Sequence, residues 1–218
     1  MAAVDFAYDP AVPTPLCEIM GRNRSDKGAA DGKAWHNYTT LYHGLWGAVR
    51  DRPLRIFELG LGTNDVTLPS NMGAGGRPGA SLFGWAEYFP RASVFGADID
   101  RKILFSGGRI QTYYCDQRSA PSVAALWEAP GLEQPFDIII DDGLHEFAAN
   151  VTFFENSVHK LSPAGVFVIE DVRNSNAHLY NAKIAEWRAI YPHKFSLIQI
   201  PTAQNDCDNT VVLVQARG

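Results

Sequence analysis

The stretch "FDIIIDDGLHEF", residues 136 to 147, joins an apolar run to two aspartates, a glycine and a histidine. An Asp-Asp-Gly sequence alone is typical of an exposed turn. The apolar run before it instead predicts a strand that crosses the interior, so Asp141 and Asp142 follow at its carboxyl end, where open α/β sheets bind ligands. His145 lies three residues after Asp142, and an imidazole can accept a proton near neutral pH. These residues therefore form a candidate catalytic or metal-binding site.

A glycine loop follows an earlier predicted strand in "FELGLGTNDV", which contains Glu58, Gly60 and Gly62. Small residues here let a ligand approach the backbone near the strand's carboxyl end. A dinucleotide fingerprint would need a third glycine where Asp65 stands and an acid about 20 residues further on. The next acid at a strand end, Asp98, lies 36 residues after Gly62, so an NAD site is disfavoured. A P-loop is disfavoured because "GAGGRPGAS" lacks the Gly-Lys-Ser/Thr ending.

The composition indicates one globular domain with a sizeable core, because 46% of the 218 residues are hydrophobic and 20% are charged. A net charge of −5 without a Lys/Arg block disfavours nucleic acid and favours a small-molecule or protein partner. Cys17, Cys115 and Cys207 are far apart and lack C-x-x-C spacing, which indicates neither a disulfide framework nor zinc. We expect a reducing, cytoplasmic location, with no export signal and no membrane anchor.

Short apolar runs alternate with amphipathic stretches, the pattern of a parallel sheet covered on both faces. The predicted parallel strands are residues 54–60, 93–98, 109–116, 136–141 and 165–171, and the predicted helices between and after them are 80–89, 101–106, 120–129, 146–161 and 176–191. Pro163 and Gly165, in "SPAG", are expected to stop the fourth helix. Residues 194–200 and 209–215 are too close in sequence for a crossover helix, so they predict an antiparallel hairpin.

This order of elements resembles the class I methyltransferases, which implies an α/β, doubly wound, Rossmann-like sheet of five parallel strands plus a C-terminal antiparallel hairpin. The resemblance implies an S-adenosylmethionine-binding domain over residues 54–218. Residues 1–53 contain one helical stretch, "WHNYTTLYHGLWGAVR", and are interpreted as an N-terminal cap or lid.

More specifically, the motifs "SDKG", "H-x-Y", "FELGLG", "GASLFGWAEYFP", "FGADID", "CDQ", "FDIIIDDGLH" and "VIED" resemble the metal-dependent sugar O-methyltransferases of the macrocin and mycinamicin type. A more distant resemblance is to the cephalosporin hydroxylase group. In the family, the acid after the second strand accepts hydrogen bonds from both ribose hydroxyls, and the residues after the third strand face adenine. The resemblance implies that the cofactor is bound by Glu58, Gly60, Gly62, Ser81, Asp98, Asp116, Gln117 and Asp141.

The family's strand order makes the last two parallel strands neighbours, so Asp141 and Asp142 would meet Glu170 and Asp171 of "VIED". Carboxylates a few ångströms apart raise each other's pKa unless a positive charge lies among them. A hard divalent cation is the simplest such charge, and oxygen ligands favour magnesium, or manganese, over zinc. The resemblance assigns the metal to Asp142, Glu170 and Asp171.

The implied activity is transfer of a methyl group from S-adenosylmethionine to a hydroxyl of a sugar, in a glycosylated metabolite or a polysaccharide. A metal bound to two adjacent substrate oxygens lowers the pKa of the hydroxyl and fixes its position. His145 resembles the family's general base, and Asp142 is the second residue with a predicted catalytic role. The alternative for His145 is a cap for the following helix.

Three further features leave alternatives open. Lys27 and His36 match family positions near the acceptor pocket, but a basic, glycine-rich segment is usually a solvated loop, and we expect that here. The long segment between Gly62 and Gly79 is either a lid over the cofactor or an acceptor-recognition element. A relative with a hydroxylase-like reaction, or a non-catalytic partner subunit, is the alternative function. Family members often form oligomers, so a homo-oligomer is expected.

Overall fold

The computed structural model describes residues 9, 11–31, 33–202 and 204–217. Within them the strands are β1 (Arg55–Leu59), β2 (Ser93–Asp98), β3 (Ser106–Gly107), β4 (Ile110–Tyr114), β5 (Phe136–Asp141), β6 (Leu161–Ile169), β7 (Lys194–Gln199) and β8 (Thr210–Gln215). They form one sheet in the order β3-β4-β2-β1-β5-β6-β8-β7. Strands β4, β2, β1, β5 and β6 are parallel, and β7 and β8 form an antiparallel hairpin. The predicted fold class is confirmed.

The helices are α1 (Pro15–Asn23), α2 (Tyr38–Trp46), α3 (Ala80–Tyr88), α4 (Ala120–Trp127), α5 (Phe147–Glu155) and α6 (Ala177–Ile190). Short 3-10 turns lie at Gly47–Val49, Arg101–Ile103, Val158–Lys160 and Asn174–Asn176. Two hydrophobic clusters cover the sheet, one built with α1, α2 and α3 and the other with α4, α5 and α6. Among the described helices, none combines the length and the apolar character needed to cross a bilayer.

The register of the parallel strands aligns their carboxyl ends. Leu59 of β1 pairs with Ala97 of β2 and with Asp141 of β5, and Asp141 pairs with Ile169 of β6. The residues that follow these positions therefore emerge along one edge of the sheet, and backbone hydrogen bonds continue the pairing there. Glu170 N donates to Asp141 O over 2.9 Å, for example.

The N-terminal segment folds against the sheet as part of its core. Helix α1, which the sequence analysis missed, begins with Pro15 after the N-cap Thr14, whose side chain accepts from Cys17 N. Helices α1 and α2 share a hydrophobic cluster with the apolar residues of α3 and β1. The division into a cap over residues 1–53 and a cofactor domain from residue 54 therefore stays a proposal, and residues 1–8 and 10 lie outside the described part.

Two local predictions are wrong. Residues 101–106 were expected to form a helix, but they form a single 3-10 turn followed by β3, because Gly107 and Gly108 reverse the chain and pair β3 with β4. The fourth predicted helix ends at Glu155, before "SPAG", and Pro163 lies inside β6. A proline is tolerated there because the β5 pairing changes register between Phe136 and Ile138 and β8 pairs only from Val166 onward.

Replacing Phe57 of the central strand tests the core on the α5 side of the sheet. Its ring is fully buried and lies 4.7 Å from the Trp127 ring, with Phe136 and Phe153 also in contact range. We expect Phe57→Ala to lower the free energy of unfolding by about 3–5 kcal/mol in urea denaturation. The control Ile190→Ala removes a side chain that is 67% exposed, and we expect a change within about 0.5 kcal/mol. Equal effects would contradict this core.

Candidate active site

A cavity of about 620 Å³ opens at the carboxyl ends of β1, β2, β4 and β5. Of the residues predicted to bind the cofactor, Gly60, Gly62, Ser81, Asp98, Asp116 and Gln117 line it. The predicted catalytic residues Asp142 and His145 and the predicted metal ligand Asp171 line the same cavity. Glu58, Asp141 and Glu170 are fully buried and are not among its lining residues. The structure therefore brings most of the predicted site together around one space.

The glycines of the first loop are required by the backbone and by close contacts. Gly60 and Gly62 have φ angles of 94° and 75°, in the left-handed region that favours glycine. A Cβ on Gly60 would lie 1.9 Å from Asp142 O, and a Cβ on Gly62 would lie 2.0 Å from Met72 Sδ. Gly60 therefore lets the loop pass close to the residues after β5, and Gly62 leaves room for the Met72 side chain.

The carboxylate of Asp98 is held in place by the backbone. Its Oδ2 accepts from Leu61 N and its Oδ1 from Asp100 N, both over 2.8 Å. Burial raises the pKa of Asp98, while these amide hydrogen bonds oppose the shift. Because each oxygen has a further lone pair, the fixed carboxylate can still accept hydrogen bonds from two ligand hydroxyls.

Asp141 and Gln117 support the wall of the cavity. Gln117 Nε2 donates to both carboxylate oxygens of Asp141 over 2.7 and 2.8 Å, while its Oε1 accepts from Leu144 N over 2.7 Å. Asn150 Nδ2 also donates to Asp141. Burial raises the pKa of Asp141 to about 6. The Asp141 carboxylate lies behind Gln117 and orients it, and its predicted role in cofactor binding stays a prediction.

Glu58 has a similar position behind the glycine loop. Its carboxylate accepts from Ser81 Oγ over 2.6 Å and from the Trp85 indole N–H. Lys27 Nζ lies 3.5 Å from Glu58 Oε1. Glu58 therefore connects β1, α3 and the N-terminal segment, and its predicted role in cofactor binding stays a prediction.

Lys27 lies among the acidic side chains, although it was expected in a solvated loop. Its side chain is 2% exposed, and Nζ donates to Asp142 Oδ2 over 2.5 Å and to Glu170 Oε2. The hydroxyl of Tyr42 donates to the other Glu170 oxygen. Burial by itself would lower the pKa of Lys27, but the surrounding carboxylates raise it well above its usual value. The solvated-loop expectation is therefore wrong for Lys27.

Asp171 is held by a second group from the N-terminal segment. Its Oδ1 accepts from the Tyr38 hydroxyl over 2.6 Å and lies 3.2 Å from His36 Nε2. His36 is 5% exposed and is within 3.2 Å of Asn205 and Asn209 side-chain atoms through Nδ1. The solvated-loop expectation is wrong for His36 too, because the ring is packed against β8 and the acidic edge.

His145 points at the acidic residues. Its Nε2 lies 3.3 Å from Asp142 Oδ1 and 3.1 Å from Asp171 Oδ2. Burial would lower the pKa of His145, but Asp171 and Asp142 outweigh it and raise the pKa to about 10. The N-cap of α5 is Glu146, so the helix-cap alternative for His145 is not supported. His145 and Asp171 both have left-handed backbones, with φ of 59° and 53°, a strained state that surrounding contacts must maintain.

The ligand atoms of Asp142, His145 and Asp171 lie within 4.8 Å of one another, and the two carboxylates of this group could hold a divalent cation with His145 beside it. Asp142 Oδ1 and Asp171 Oδ2 supply the oxygen donors that magnesium prefers. Glu170 is outside this group, because Lys27 and Tyr42 bind its two oxygens. The predicted role of Glu170 as a metal ligand stays a prediction.

The segment between Gly62 and Gly79 forms part of the cavity wall through residues 68–72. Ser70 Oγ donates to Leu144 O over 2.8 Å, next to His145. Asn64 Nδ2 donates to Gly73 O and Gly76 O within the segment. This part of the chain thus bridges the glycine loop and the residues after β5, and both sequence-based alternatives for it remain open.

No protein-family model matches the sequence, but individual known proteins are similar to it. A 2'-O-methyltransferase for 8-demethyl-8-alpha-L-rhamnosyl tetracenomycin-C from Streptomyces olivaceus is 37% identical over 160 residues, 73% of this chain and 38% of the relative. Mycinamicin VI 2''-O-methyltransferase from Micromonospora griseorubida is 33% identical over 137 residues, 63% of this chain and 32% of the relative. The predicted resemblance to sugar O-methyltransferases is confirmed.

Among solved structures, the MycE methyltransferase from the mycinamycin biosynthetic pathway, in complex with Mg and SAH, aligns with a TM-score of 0.70 and 24% identity. The alignment covers 95% of this chain and 56% of that chain. This chain has the class I methyltransferase fold.

The aligned regions cover well under half the length of the two sequence relatives, 38% of the first and 32% of the second. Within it, the sequence analysis missed Tyr38 and Tyr42 as site residues and misplaced Lys27. Signals were present for Lys27 and Tyr38, because "SDKG" and "H-x-Y" are among the motifs that carry the resemblance, but Tyr42 lies outside both motifs. A motif match alone did not indicate that these side chains are the partners of Glu170 and Asp171.

Removing one hydroxyl tests whether Glu170 depends on its partners. Tyr42→Phe leaves a fully buried carboxylate oxygen without its donor, and we expect the free energy of unfolding to fall by about 1.5–3 kcal/mol. The control Tyr113→Phe removes a hydroxyl that donates to Gln111 and Pro130, both neutral acceptors near the surface, and should cost about 1 kcal/mol or less. Urea denaturation in EDTA measures both. A smaller loss in Tyr42→Phe than in the control would contradict the buried contact.

Proposed function

We propose that this methyltransferase fold transfers a methyl group from S-adenosylmethionine to a hydroxyl of a sugar carried by a small molecule, and that the reaction depends on magnesium. The observation that carries the proposal is the shared cavity: Asp98 and the glycine loop line one part, and Asp142, His145 and Asp171 line another. A bound cofactor and an acceptor can therefore meet inside one space of about 620 Å³.

The cofactor is proposed to lie along the glycine loop. Gly60 and Gly62 allow the methionine end to approach the backbone, and the fixed carboxylate of Asp98 accepts the ribose hydroxyls. Asp116 and Gln117 follow strand β4 and line the cavity, and they are proposed to face the base. MycE, which has the same fold, is in complex with SAH, and this supports the assignment.

Magnesium is proposed to bind at Asp142 and Asp171, with Glu170 as the third predicted ligand. When bound, it would lower the pKa of an acceptor hydroxyl and align that oxygen for attack on the methyl carbon. Asp142 and Asp171 each anchor one oxygen on an N-terminal side chain and direct the other toward His145. Because one oxygen of each carboxylate is already bonded within the protein, both aspartates are held in place before a ligand binds.

His145 is proposed to accept the proton of the acceptor hydroxyl. Its imidazole lines the cavity, so it can contact an acceptor there. A pKa of about 10 keeps the ring protonated at neutral pH while Asp142 and Asp171 are its neighbours. A base role therefore requires that another cation balance the charge of these carboxylates, which is consistent with a metal-dependent reaction.

The acceptor is proposed to be a sugar hydroxyl because the relatives' names specify rhamnosyl and mycinamicin substrates. The cavity has enough room for a monosaccharide beside the cofactor, and aspartate and histidine side chains at its wall can hydrogen-bond to hydroxyls. Natural product biosynthesis is the proposed context. A cytoplasmic location and a homo-oligomer remain expectations from the sequence.

Titration calorimetry with S-adenosylhomocysteine tests the cofactor site. We expect binding in both magnesium and EDTA, and we expect Asp98→Asn to weaken it at least about tenfold, because a charged acceptor of ribose hydroxyls is lost. Asp100→Asn is the matched control. Asp100 lies two residues away, but its carboxylate accepts from Thr63 and Lys102 and does not line the cavity, so the affinity should change less than about threefold. No binding to the unsubstituted protein would reject the proposal.

Binding of manganese, followed by electron paramagnetic resonance, tests the metal site. We expect Asp171→Asn to weaken binding at least about tenfold through the loss of one charged ligand, with unchanged affinity for S-adenosylhomocysteine. Asp100→Asn is the control here too, because its carboxylate accepts from Thr63 and Lys102 N and does not line the cavity.

Turnover on a panel of sugars with vicinal hydroxyls, followed by product mass, should disappear in Asp171→Asn and in EDTA. Full turnover of Asp171→Asn in EDTA would overturn the metal role. A product that has gained an oxygen atom in place of a methyl group would overturn methyl transfer.

A further inference from the structure

The ammonium of Lys27 lies among three carboxylates at the edge of the sheet. Asp142 and Glu170 accept hydrogen bonds from Nζ, and Glu58 Oε1 lies 3.5 Å away. Lys27, Glu58 and Glu170 are all at most 2% exposed. Taking such charges out of water is costly unless they compensate one another, so the acidic edge depends on this lysine.

The lysine is fixed by the backbone on both sides of it. Ser25 N donates to Met20 O over 3.0 Å at the end of α1, and Thr39 N donates to Lys27 O over 3.3 Å at the start of α2. A Cβ on Gly28 would lie 1.9 Å from Thr39 Oγ1, so this turn has no room for a side chain. These contacts fix the base of the Lys27 side chain and direct it toward the carboxylates.

We infer that Lys27 is an internal counter-cation that lets the acidic site fold without a metal ion and holds the site's affinity for divalent cations low. The inference rests on the proposed metal site, and it adds a residue that sets how tightly that site binds. The Asp142 oxygen next to Lys27 belongs to the same carboxylate that is proposed to bind magnesium.

The sign of the effect follows from electrostatics. An ammonium and a divalent cation repel each other if both contact Asp142, and they compete if only one can. In either case the free energy of metal binding becomes less favourable while Lys27 is charged. A low intrinsic affinity would leave the final coordination positions to the substrate oxygens, so that cation and acceptor bind together.

The variant Lys27→Met tests the inference, because methionine fills much of the same volume without the charge. In manganese titrations followed by electron paramagnetic resonance, we expect at least about tenfold tighter binding than in the unsubstituted protein. In EDTA we expect a lower melting temperature, and we expect manganese to raise it by more than it raises that of the unsubstituted protein. Equal or weaker manganese binding by a folded Lys27→Met would overturn the inference.

If Lys27→Met does not fold, two further variants test the same inference. Glu170→Gln removes one carboxylate, and Lys27→Met/Glu170→Gln removes both members of the buried ion pair, which is far less disruptive than removing one. We expect the double variant to bind manganese at least about tenfold more tightly than Glu170→Gln. Equal affinities would overturn the inference.

Titration of the same proteins with S-adenosylhomocysteine separates this inference from the proposed function. If the unsubstituted protein binds S-adenosylhomocysteine and manganese but Lys27→Met gains no affinity for manganese, the inference fails and the proposed function stands. If the unsubstituted protein does not bind S-adenosylhomocysteine, the proposed function fails whatever manganese does.

Discussion

Parallel pairing of neighbouring strands brings acidic side chains to one edge of the sheet, and their charge must be compensated. The register pairs Leu59 with Ala97 and Asp141, and Asp141 with Ile169. The acidic residues that follow these positions must therefore lie close to one another. Each acid is compensated differently. Backbone amides bind Asp98, and side-chain amides bind Asp141. Side chains of α3 bind Glu58, and Lys27 or tyrosine hydroxyls from the N-terminal segment bind Asp142, Glu170 and Asp171. These differences separate the supporting acids from those that line the cavity.

The acids fall into two groups according to where their oxygens point. Glu58, Asp141 and Glu170 are fully buried, and each is hydrogen-bonded to other side chains of the protein. Asp142 and Asp171 use one oxygen for an internal partner and direct the other to His145 at the cavity. Acids of the second group can bind a ligand without losing their anchors. This asymmetry explains how a cluster of carboxylates can be both stable and available for chemistry.

The sequence predicted the strands of the sheet better than the partners of the acids. Strands β2 and β5 have the predicted bounds, because each is a mostly apolar run that ends in an aspartate. The gathering of Asp98, Asp142 and Asp171 at one edge followed from the resemblance and the sheet order. Lys27 could not be placed in this way. Its neighbours in the sequence are polar or glycine, so nothing local distinguishes a buried lysine from a solvated one, and its partners are 115 and 143 residues away.

The N-terminal segment is therefore electrostatically part of the site, whatever its role as a cap. Tyr38 and Tyr42 lie one turn apart on α2, so a single helix face supplies the hydroxyls for Asp171 and Glu170. Moving α2 away would remove the tyrosine hydroxyls from two buried carboxylates and would take the Lys27 turn with it, because Thr39 N is bonded to Lys27 O. Opening of this segment is thus costly unless other positive charge enters the acidic edge. Cation binding and the position of the N-terminal segment are consequently coupled through the same carboxylates.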